Sequence, residues 1–169
     1  FMTTFAQRSQ VGAGGVAELK VRLTEFGFTV FQIGQETWLP PSLHDAIRHE
    51  HADLMIRAIR YTPDLVAIAA NFPWSYWESK VNVTPNTPNF TIEKACYDEQ
   101  MARHAKGERI VVAFKDVGGA WSANWIERLN VLRDMSEQRQ EARGSRTPYL
   151  LIRKTCAISF SEFVLGKWR

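Results

Sequence analysis

The sequence contains only two cysteines, Cys96 and Cys156, among its 169 residues. They are far apart, and neither belongs to a Cys-x-x-Cys pair or a Cys/His spacing, so the sequence predicts neither a disulfide framework nor a zinc knuckle. It also lacks an apolar run of the roughly 18 residues that are needed to cross a bilayer, and it lacks the apolar core of a signal peptide. We therefore expect a cytoplasmic protein without a membrane span.

Several motifs of binding and catalysis are missing as well. No Gly-x-Ser-x-Gly occurs, which excludes the usual nucleophile elbow of serine hydrolases. The glycine cluster at residues 12–15 has no strand before it and no Lys-Ser/Thr after it, so it is not a P-loop. His44 and His51 are seven positions apart rather than four, which is not the spacing of a helical zinc pair.

The composition that remains is ordinary for a globular protein. Hydrophobic residues make up 45% of the chain and charged residues 23%. A length of 169 residues suffices for one domain with a sizeable core, and we predict a single domain over residues 1–169. The formal net charge of +3 favours a polyanionic partner.

Hydrophobic periodicity predicts a mixed α/β order of elements. Helical spacing and stop signals indicate helices at about 16–26, 42–59, 92–106 and 123–139. Alternating or continuous apolar runs indicate strands at 28–33, 109–115 and 149–154, and a hairpin over 64–80. Residues 1–15 are predicted to be a flexible lead-in, and 83–89 and 141–148 are predicted loops. This order is typical of an α/β fold with a mixed central sheet flanked by helices.

The hairpin carries the side chains on which the functional prediction rests. Asp64 precedes the apolar run at 65–70, and Glu78 and Lys80 follow on the second strand. Side chains two positions apart on a strand point to the same face, and cross-strand neighbours lie about 5–8 Å apart. We therefore expect two carboxylates and one ammonium group to share one patch.

Such a patch suits the hydrolysis of a phosphodiester. Mg²⁺ prefers oxygen ligands, commonly one or two carboxylates together with water and phosphate oxygens. It neutralises charge on the phosphate and activates a water molecule. Asp64 and Glu78 are the predicted ligands of Mg²⁺ or Mn²⁺. Lys80 is predicted to orient or activate the water, or to stabilise the developing charge.

The pattern Pro63-Asp64, thirteen residues, then Glu78-Ser79-Lys80 resembles the motif of the PD-(D/E)xK nuclease superfamily. The resemblance covers roughly residues 11–115. It implies a restriction-endonuclease-like core, a divalent metal and a DNA substrate, and so a metal-dependent DNA endonuclease. It also implies that homodimers cut both strands. A phage, a mobile element or a repair system would be a fitting setting.

The same resemblance implies further site residues. The family carries a glutamate on a helix before the first strand, and Glu18 occupies that place as a further catalytic and metal-binding carboxylate. The helix after the lysine strand often carries polar site residues in that family, and here Glu93, Tyr97 and Gln100 share one face. The basic side chains that we expect to contact nucleic acid are Lys20, Arg22, Lys94, Arg103, Arg143 and Arg146.

Each of these features also has a purely structural explanation. Asp64 would be a turn residue after proline. Glu78 and Lys80 would be a solvated pair on an edge strand, and Glu18 an exposed i,i+4 partner of Arg22. The helix at 42–59 is either an insertion that shapes substrate choice or a sign that Glu18 is not the family's glutamate. The alternative function is a catalytically inactive nuclease-like module that binds nucleic acid or a protein.

Overall fold

The computed structural model describes residues 5–40, 42–43, 47, 53–82, 88–135 and 148–167. Within these ranges the helices are α1 (Phe5–Glu25), α2 (Gln35–Trp38), α3 (Leu54–Arg60), α4 (Lys94–Ala105) and α5 (Phe160–Val164). The strands are β1 (Thr29–Gln32), β2 (Leu65–Ala69), β3 (Phe72–Val81), β4 (Asn89–Glu93), β5 (Ile110–Lys115), β6 (Trp121–Trp125), β7 (Val131–Asp134), β8 (Tyr149–Arg153) and β9 (Ile158–Ser159). Ile126–Arg128 and Lys154–Cys156 are single turns of 3₁₀ helix.

Six strands form the central sheet in the order β1-β2-β3-β5-β6-β9. β2 and β3 make the predicted antiparallel hairpin, in which Leu65 lies opposite Trp77. β3 and β5 are parallel, with Glu78 beside Val112, and the other neighbouring strands are antiparallel. The predicted mixed sheet flanked by helices is therefore confirmed, and the strands predicted at 28–33, 109–115 and 149–154 are confirmed as β1, β5 and β8.

One face of the central sheet is covered by α1 and α5, and we call it the α1 face. Trp77 of β3 points to this face. Leu19 and Leu23 of α1 and Phe163 of α5 are fully buried in the same cluster. Complete burial of one large apolar side chain contributes about 1.5–3 kcal/mol, so this cluster fixes both helices on the sheet.

The opposite face, which we call the α4 face, is covered by α4, by Tyr61 after α3 and by a second sheet. This second sheet is antiparallel and has the order β4-β8-β7. Phe90 of β4 stacks on Phe114 of β5, with ring centroids 4.4 Å apart and planes inclined by 6°. Because side chains alternate along a strand, Glu78 and Lys80 share this face with Tyr76.

Helix α1 begins at Phe5, so the predicted flexible lead-in over residues 1–15 is wrong for residues 5–15. A glycine in a helix costs about 1 kcal/mol relative to alanine, yet Gly15 has a reason to be there. A Cβ atom at this position would lie 2.3 Å from Cγ2 of Val81, so glycine permits the close approach of α1 to β3. Although α1 has 21 residues, no described helix is long and apolar enough to cross a membrane.

The predicted helix at 123–139 is wrong over the residues that the structure describes. Residues 121–125 form β6, and residues 131–134 form β7. Apolar residues there match helical spacing, but Trp121, Ala123 and Trp125 also alternate, and all three are buried against the sheet. Pairing with a neighbouring strand outweighed the local pattern. For the same reason the helix predicted from Ile92 begins at Lys94, because residues 89–93 pair with β8.

A single helix over 42–59 is also wrong. Residues 42, 43 and 47 are helical, but α3 starts separately at Leu54. Asp53 is extended, with φ −76° and ψ 121°. Its carboxylate accepts the backbone N–H groups of Met55 and Ile56 at 2.8 and 2.9 Å, and such an N-cap starts a new helix. The loops predicted at 83–89 and 141–148 lie almost wholly outside the described residues.

Candidate active site

Asp64 lies directly before β2, where the chain leaves the loop after α3. Its carboxylate Oδ2 accepts the backbone N–H of Ser79 at 2.7 Å. Its backbone carbonyl accepts the N–H groups of Ile33 and Gly34, at 2.9 and 3.1 Å, from the segment that follows β1. These hydrogen bonds fix Asp64 between two neighbouring strands and hold its carboxylate beside the Glu78–Lys80 segment.

Glu78 and Lys80 form a largely buried ion pair on the α4 face. Nζ of Lys80 lies 2.5 Å from Oε1 of Glu78, and the side chains are 27% and 8% exposed, respectively. Their strand is internal, between β2 and β5, so the alternative of a solvated pair on an edge strand is wrong. Burying two charges costs free energy that the pair's own attraction often only just offsets. The pair is therefore unlike an ordinary surface salt bridge.

Negative groups around Lys80 raise the pKa of its side chain. Burial alone lowers this pKa, but the negative charge that Cys96, Glu78 and Asp64 carry when ionised raises it well above the usual value of 10.5. The Lys80 side chain is therefore an ammonium ion at neutral pH. The Asp64 carboxylate lies beside this pair, because it accepts the backbone N–H of Ser79, the residue between Glu78 and Lys80. The structure thus brings Asp64, Glu78 and Lys80 into one group with two negative charges and one positive charge.

Two side chains of α4, Cys96 and Gln100, contact Glu78 from above the sheet. Sγ of Cys96 lies 3.5 Å from Oε1 of Glu78, and Nε2 of Gln100 lies 3.5 Å from its Oε2. Gln100 also donates a hydrogen bond to the backbone carbonyl of Tyr61 at 2.8 Å. Burial raises the pKa of the Cys96 thiol, and Glu78 adds to the rise, so this thiol is neutral at physiological pH.

Cys96 is a site residue that the sequence prediction missed. It lies one helical turn before Gln100, and both residues are buried. Residues four positions apart share one face of a helix. Cys96 could have been found from its spacing to Gln100. The two residues are four positions apart on the helix that follows the strand of Glu78, so they share one helix face.

Glu93 is connected to the site through Tyr61. Its carboxylate accepts the Tyr61 hydroxyl at 2.6 Å and an Arg60 N–H at 3.3 Å. Burial, followed by the hydrogen bond to Glu93, raises the pKa of Tyr61 well above its usual value. Because Gln100 binds the backbone of Tyr61, these contacts form a continuous chain from Glu93 to the carboxylate at the site.

Glu18 does not belong to this group. It lies on the α1 face, where its carboxylate accepts hydrogen bonds from Lys115 at 2.5 Å, Trp121 at 2.7 Å and Arg22 at 3.2 Å. The bond from Lys115, followed by the bond from Trp121, lowers the pKa of Glu18 from 4.5 to about 2. No three Asp, Glu, His or Cys residues lie close enough together to hold a metal in the described part of the chain. Glu18 therefore lies apart from Asp64 and Glu78 in this structure, and its role as a further metal ligand stays a prediction.

The fold, rather than the sequence, relates this chain to known proteins. No family model matches the sequence, and no curated protein matches it. The Holliday junction resolvase Hjc from Archaeoglobus fulgidus, an archaeal hyperthermophile, aligns over 90% of this chain and 94% of its own, with a TM-score of 0.52 and 15% identity. This resolvase belongs to the PD-(D/E)xK superfamily. The chain has the restriction-endonuclease-like fold.

A second solved structure, a nuclease from a fusselovirus, aligns over 98% of this chain and 93% of its own. Its TM-score is 0.46 and its sequence identity is 10%. The alignment with the resolvase confirms, at the level of the fold, the resemblance that Asp64, Glu78 and Lys80 indicated.

The site of this restriction-endonuclease-like chain fits a hard divalent cation. Asp64 and Glu78 supply carboxylate oxygens, which Mg²⁺ and Mn²⁺ prefer. One ammonium group, that of Lys80, faces these two carboxylates, so the three side chains together retain a negative formal charge. Oε1 of the buried Gln100 has no hydrogen-bond partner within the described part of the chain, and a buried acceptor of this kind suits an ordered water.

Four of the basic residues that were predicted to contact nucleic acid lie away from this site or outside the described residues. Lys20 and Arg22 belong to α1, the helix on the face opposite to Glu78, and Arg22 pairs with Glu18. Arg143 and Arg146 lie outside the described residues. The first two therefore do not border the candidate active site.

The remaining predicted residues belong to α4. Lys94 is half exposed and pairs with acidic neighbours at 3.1 and 3.8 Å. Tyr97 is half-buried and packs against the core of the α4 face, and burial raises its pKa. Arg103 pairs with Glu108 at 2.6 Å and lies 5.0 Å over the ring of Tyr76. Of these, Arg103 contacts a residue on the same strand and face as Glu78.

Proposed function

We propose that this protein is a divalent-metal-dependent nuclease that hydrolyses DNA phosphodiester bonds at Asp64, Glu78 and Lys80. One observation carries the proposal. Glu78 and Lys80 form an ion pair on one face of the internal strand β3, and the Asp64 carboxylate accepts the N–H of Ser79 between them, in a restriction-endonuclease-like fold. The formal net charge of +3 also favours a polyanionic substrate.

Asp64 and Glu78 are the residues that would hold the cation. When bound, Mg²⁺ or Mn²⁺ supplies charge neutralisation at the phosphate and a more acidic water molecule. The Ser79 N–H orients Asp64, and Lys80 and Gln100 contact the two oxygens of Glu78, so both carboxylates are oriented before substrate arrives. Lys80 also places a positive charge where it can stabilise negative charge that develops on the phosphate.

We also propose that residues 1–169 act as one nuclease domain and that two copies act together on duplex DNA. The described residues of one chain contain one candidate site, that of Asp64, Glu78 and Lys80. A double-strand break requires two cleavage events. Sedimentation of the protein, free and bound to duplex, measures the stoichiometry. A monomer in both states that still cuts both strands at once would contradict the dimer.

A cleavage assay tests the nuclease proposal. Supercoiled, linear and branched DNA are incubated with the protein and Mg²⁺, Mn²⁺ or EDTA, and we expect cleavage only with metal. Lys80→Ala and Asp64→Asn are each expected to cleave about a hundredfold more slowly or worse. Asparagine keeps an acceptor for the Ser79 N–H, so the hairpin stays intact. Unchanged cleavage in both variants, with both still folded by circular dichroism, would refute the proposal.

A second candidate is a nuclease-like module that binds nucleic acid without cutting it. The observation that favours it is that no group of three metal-ligating side chains exists among the described residues. Binding of DNA with an affinity that does not depend on metal, together with no cleavage of any DNA form, would support this candidate over the nuclease.

A further inference from the structure

Trp74 on β3 is exposed in a way that the other tryptophans of the central sheet are not. It is 57% exposed, whereas Trp77 is fully buried and Trp121 and Trp125 are 6% and 5% exposed. An indole ring left in water forgoes the stabilisation that burial of a large aromatic side chain provides. The folded core therefore does not explain why a tryptophan occupies position 74.

The position of Trp74 relates it to the candidate active site. Tyr76, Glu78 and Lys80 alternate along β3 and so lie on one face. The register of β3 against β2 is irregular beside Trp74, but the Trp74 ring contacts the Tyr76 ring and so lies at the end of the same row. At the rise of a β-strand, Trp74 is about 13 Å from Glu78 along this row. The distance equals about four nucleotide steps at 3.4 Å per step, so a nucleic acid that is cut at the site and follows the direction of β3 would extend over Trp74.

The rings of Trp74 and Tyr76 form a continuous aromatic surface. Their centroids are 5.9 Å apart, and their planes are inclined by 44°. The Arg103 guanidinium lies 5.0 Å from the centroid of the Tyr76 ring, where its pairing with Glu108 helps to hold it. Aromatic rings beside a guanidinium group are what proteins use to stack on bases and attract a phosphate backbone.

Neighbouring strands widen this surface. Phe31 of β1 lies opposite Val66 of β2, which lies opposite Tyr76, so all three point to the same side. Phe31 is 54% exposed, and Ile68, two positions after Val66, is 46% exposed. Exposed apolar side chains thus extend from the row of the active site to β1 at the edge of the sheet.

We propose that Trp74 and Tyr76 stack on unpaired bases of the substrate, so that the protein acts on DNA with a single-stranded segment within about four nucleotides of the cleaved bond. A base in a continuous duplex is stacked on both sides and offers no free ring face, whereas an unpaired base does. This inference rests on the proposed nuclease function, because the distance of about four nucleotides is measured from Glu78, where cleavage is proposed to occur. The competing occupant of the surface is a second copy of the chain.

Binding without metal tests this inference separately from catalysis. Fluorescence anisotropy in EDTA measures the Kd for a labelled single strand, for a blunt duplex of the same sequence, and for a duplex with a gap of a few nucleotides. The variants are Trp74→Ala and Trp74→Tyr, with Leu165→Ala as the control. Leu165 is 68% exposed and follows α5, which covers the opposite face of the sheet.

The expected result is a selective loss. Trp74→Ala should weaken binding of the single strand and the gapped duplex about 5- to 100-fold and leave blunt duplex binding within about twofold. Trp74→Tyr should restore most of the affinity, and Leu165→Ala should bind like the wild type. Equal weakening for all three DNA forms, or no change for any of them, would overturn the inference.

The remaining outcomes are also decisive. If Trp74→Ala converts a dimer into a monomer in sedimentation and leaves single-strand binding unchanged, the surface belongs to a second copy and the inference is wrong. If single-strand binding depends on Trp74 but no metal supports cleavage, the proposed catalysis fails while base stacking stands. If the wild type cleaves continuous duplex best, and Trp74→Ala cleaves it equally well, the nuclease function stands and the substrate class is wrong.

Discussion

The two faces of the central sheet each carry a glutamate–lysine pair with a 2.5 Å contact, yet the pairs have different surroundings. On the α1 face, Glu18 meets two cations and an indole N–H, and its side chain is 33% exposed. On the α4 face, Glu78 pairs with Lys80 beside the Asp64 carboxylate, contacts a neutral thiol and is 8% exposed.

The difference shows how a structural ion pair can be told apart from a functional group. A carboxylate with a surplus of cations is neutralised, has a low pKa and holds its helix on the sheet. Two carboxylates with one ammonium group retain a negative charge, which a divalent cation can compensate. The balance of charge, rather than the presence of a glutamate, therefore identifies the α4 face as the candidate active site.

The largest expected effect comes from making the same substitution on both faces. Glu78→Gln should lower metal-dependent cleavage about a hundredfold or more, because it removes a carboxylate from the site. Glu18→Gln should keep cleavage within about threefold, because Glu18 lies on the other face. Initial rates at saturating Mg²⁺ measure both. If Glu18→Gln loses as much activity as Glu78→Gln and remains folded, the two faces are not functionally distinct.

A smaller effect is expected from Gln100, which contacts Glu78 without being a predicted ligand. Gln100→Leu should lower the cleavage rate about 10- to 100-fold and raise the Mg²⁺ concentration for half-maximal rate, because Glu78 loses an orienting donor. Met101→Leu, the next position on α4, is the matched control and should behave like the wild type. A Mg²⁺ dependence that stays unchanged in Gln100→Leu would restrict Gln100 to a structural role.

On the α1 face, glycines provide a test of stability rather than activity. Gly15→Ala should lower the free energy of unfolding by about 1–2 kcal/mol, because its Cβ would meet Val81 at 2.3 Å. Gly14→Ala should raise it by about 0.5–1 kcal/mol, because alanine favours the helix and no atom lies within 4 Å of its Cβ. Urea unfolding measures both, and a stabilised Gly15→Ala would show that α1 does not approach β3 so closely.

The smallest expected effect concerns pH. The pKa of Glu18 is lowered from 4.5 to about 2 in the folded protein. Its contribution to stability is therefore complete above about pH 4.5 and is lost as the pH falls towards 2. Glu18→Gln should lose less stability than the wild type between pH 5 and pH 3. The difference should be about 1 kcal/mol or less, because solvent screens a partly exposed pair. Urea unfolding at both pH values checks this, and equal losses would contradict it.

Much of the site could be predicted because its residues are close in sequence. The hairpin from Asp64 to Lys80 follows from an apolar run, a break and a second apolar run, and these signals are local. The second sheet could not be predicted as a sheet. The sequence indicated a strand at β8, but residues 89–93 become β4 only by pairing with β8 across a long stretch of chain. The apolar residues around 121–125 fit both helical spacing and the alternation of a strand. They form a strand because they pair with β5 and are buried on the sheet.

By itself the sequence determined that Asp64, Glu78 and Lys80 lie close together. Alternation places Glu78 and Lys80 on one face of a strand, and the register of a short hairpin brings Asp64 beside them. Only the tertiary structure decided that Glu18 lies on the other face of the sheet and that Cys96 joins Gln100 beside Glu78. The face of a sheet that a helix covers depends on how whole elements pack, and no spacing along the chain encodes that choice.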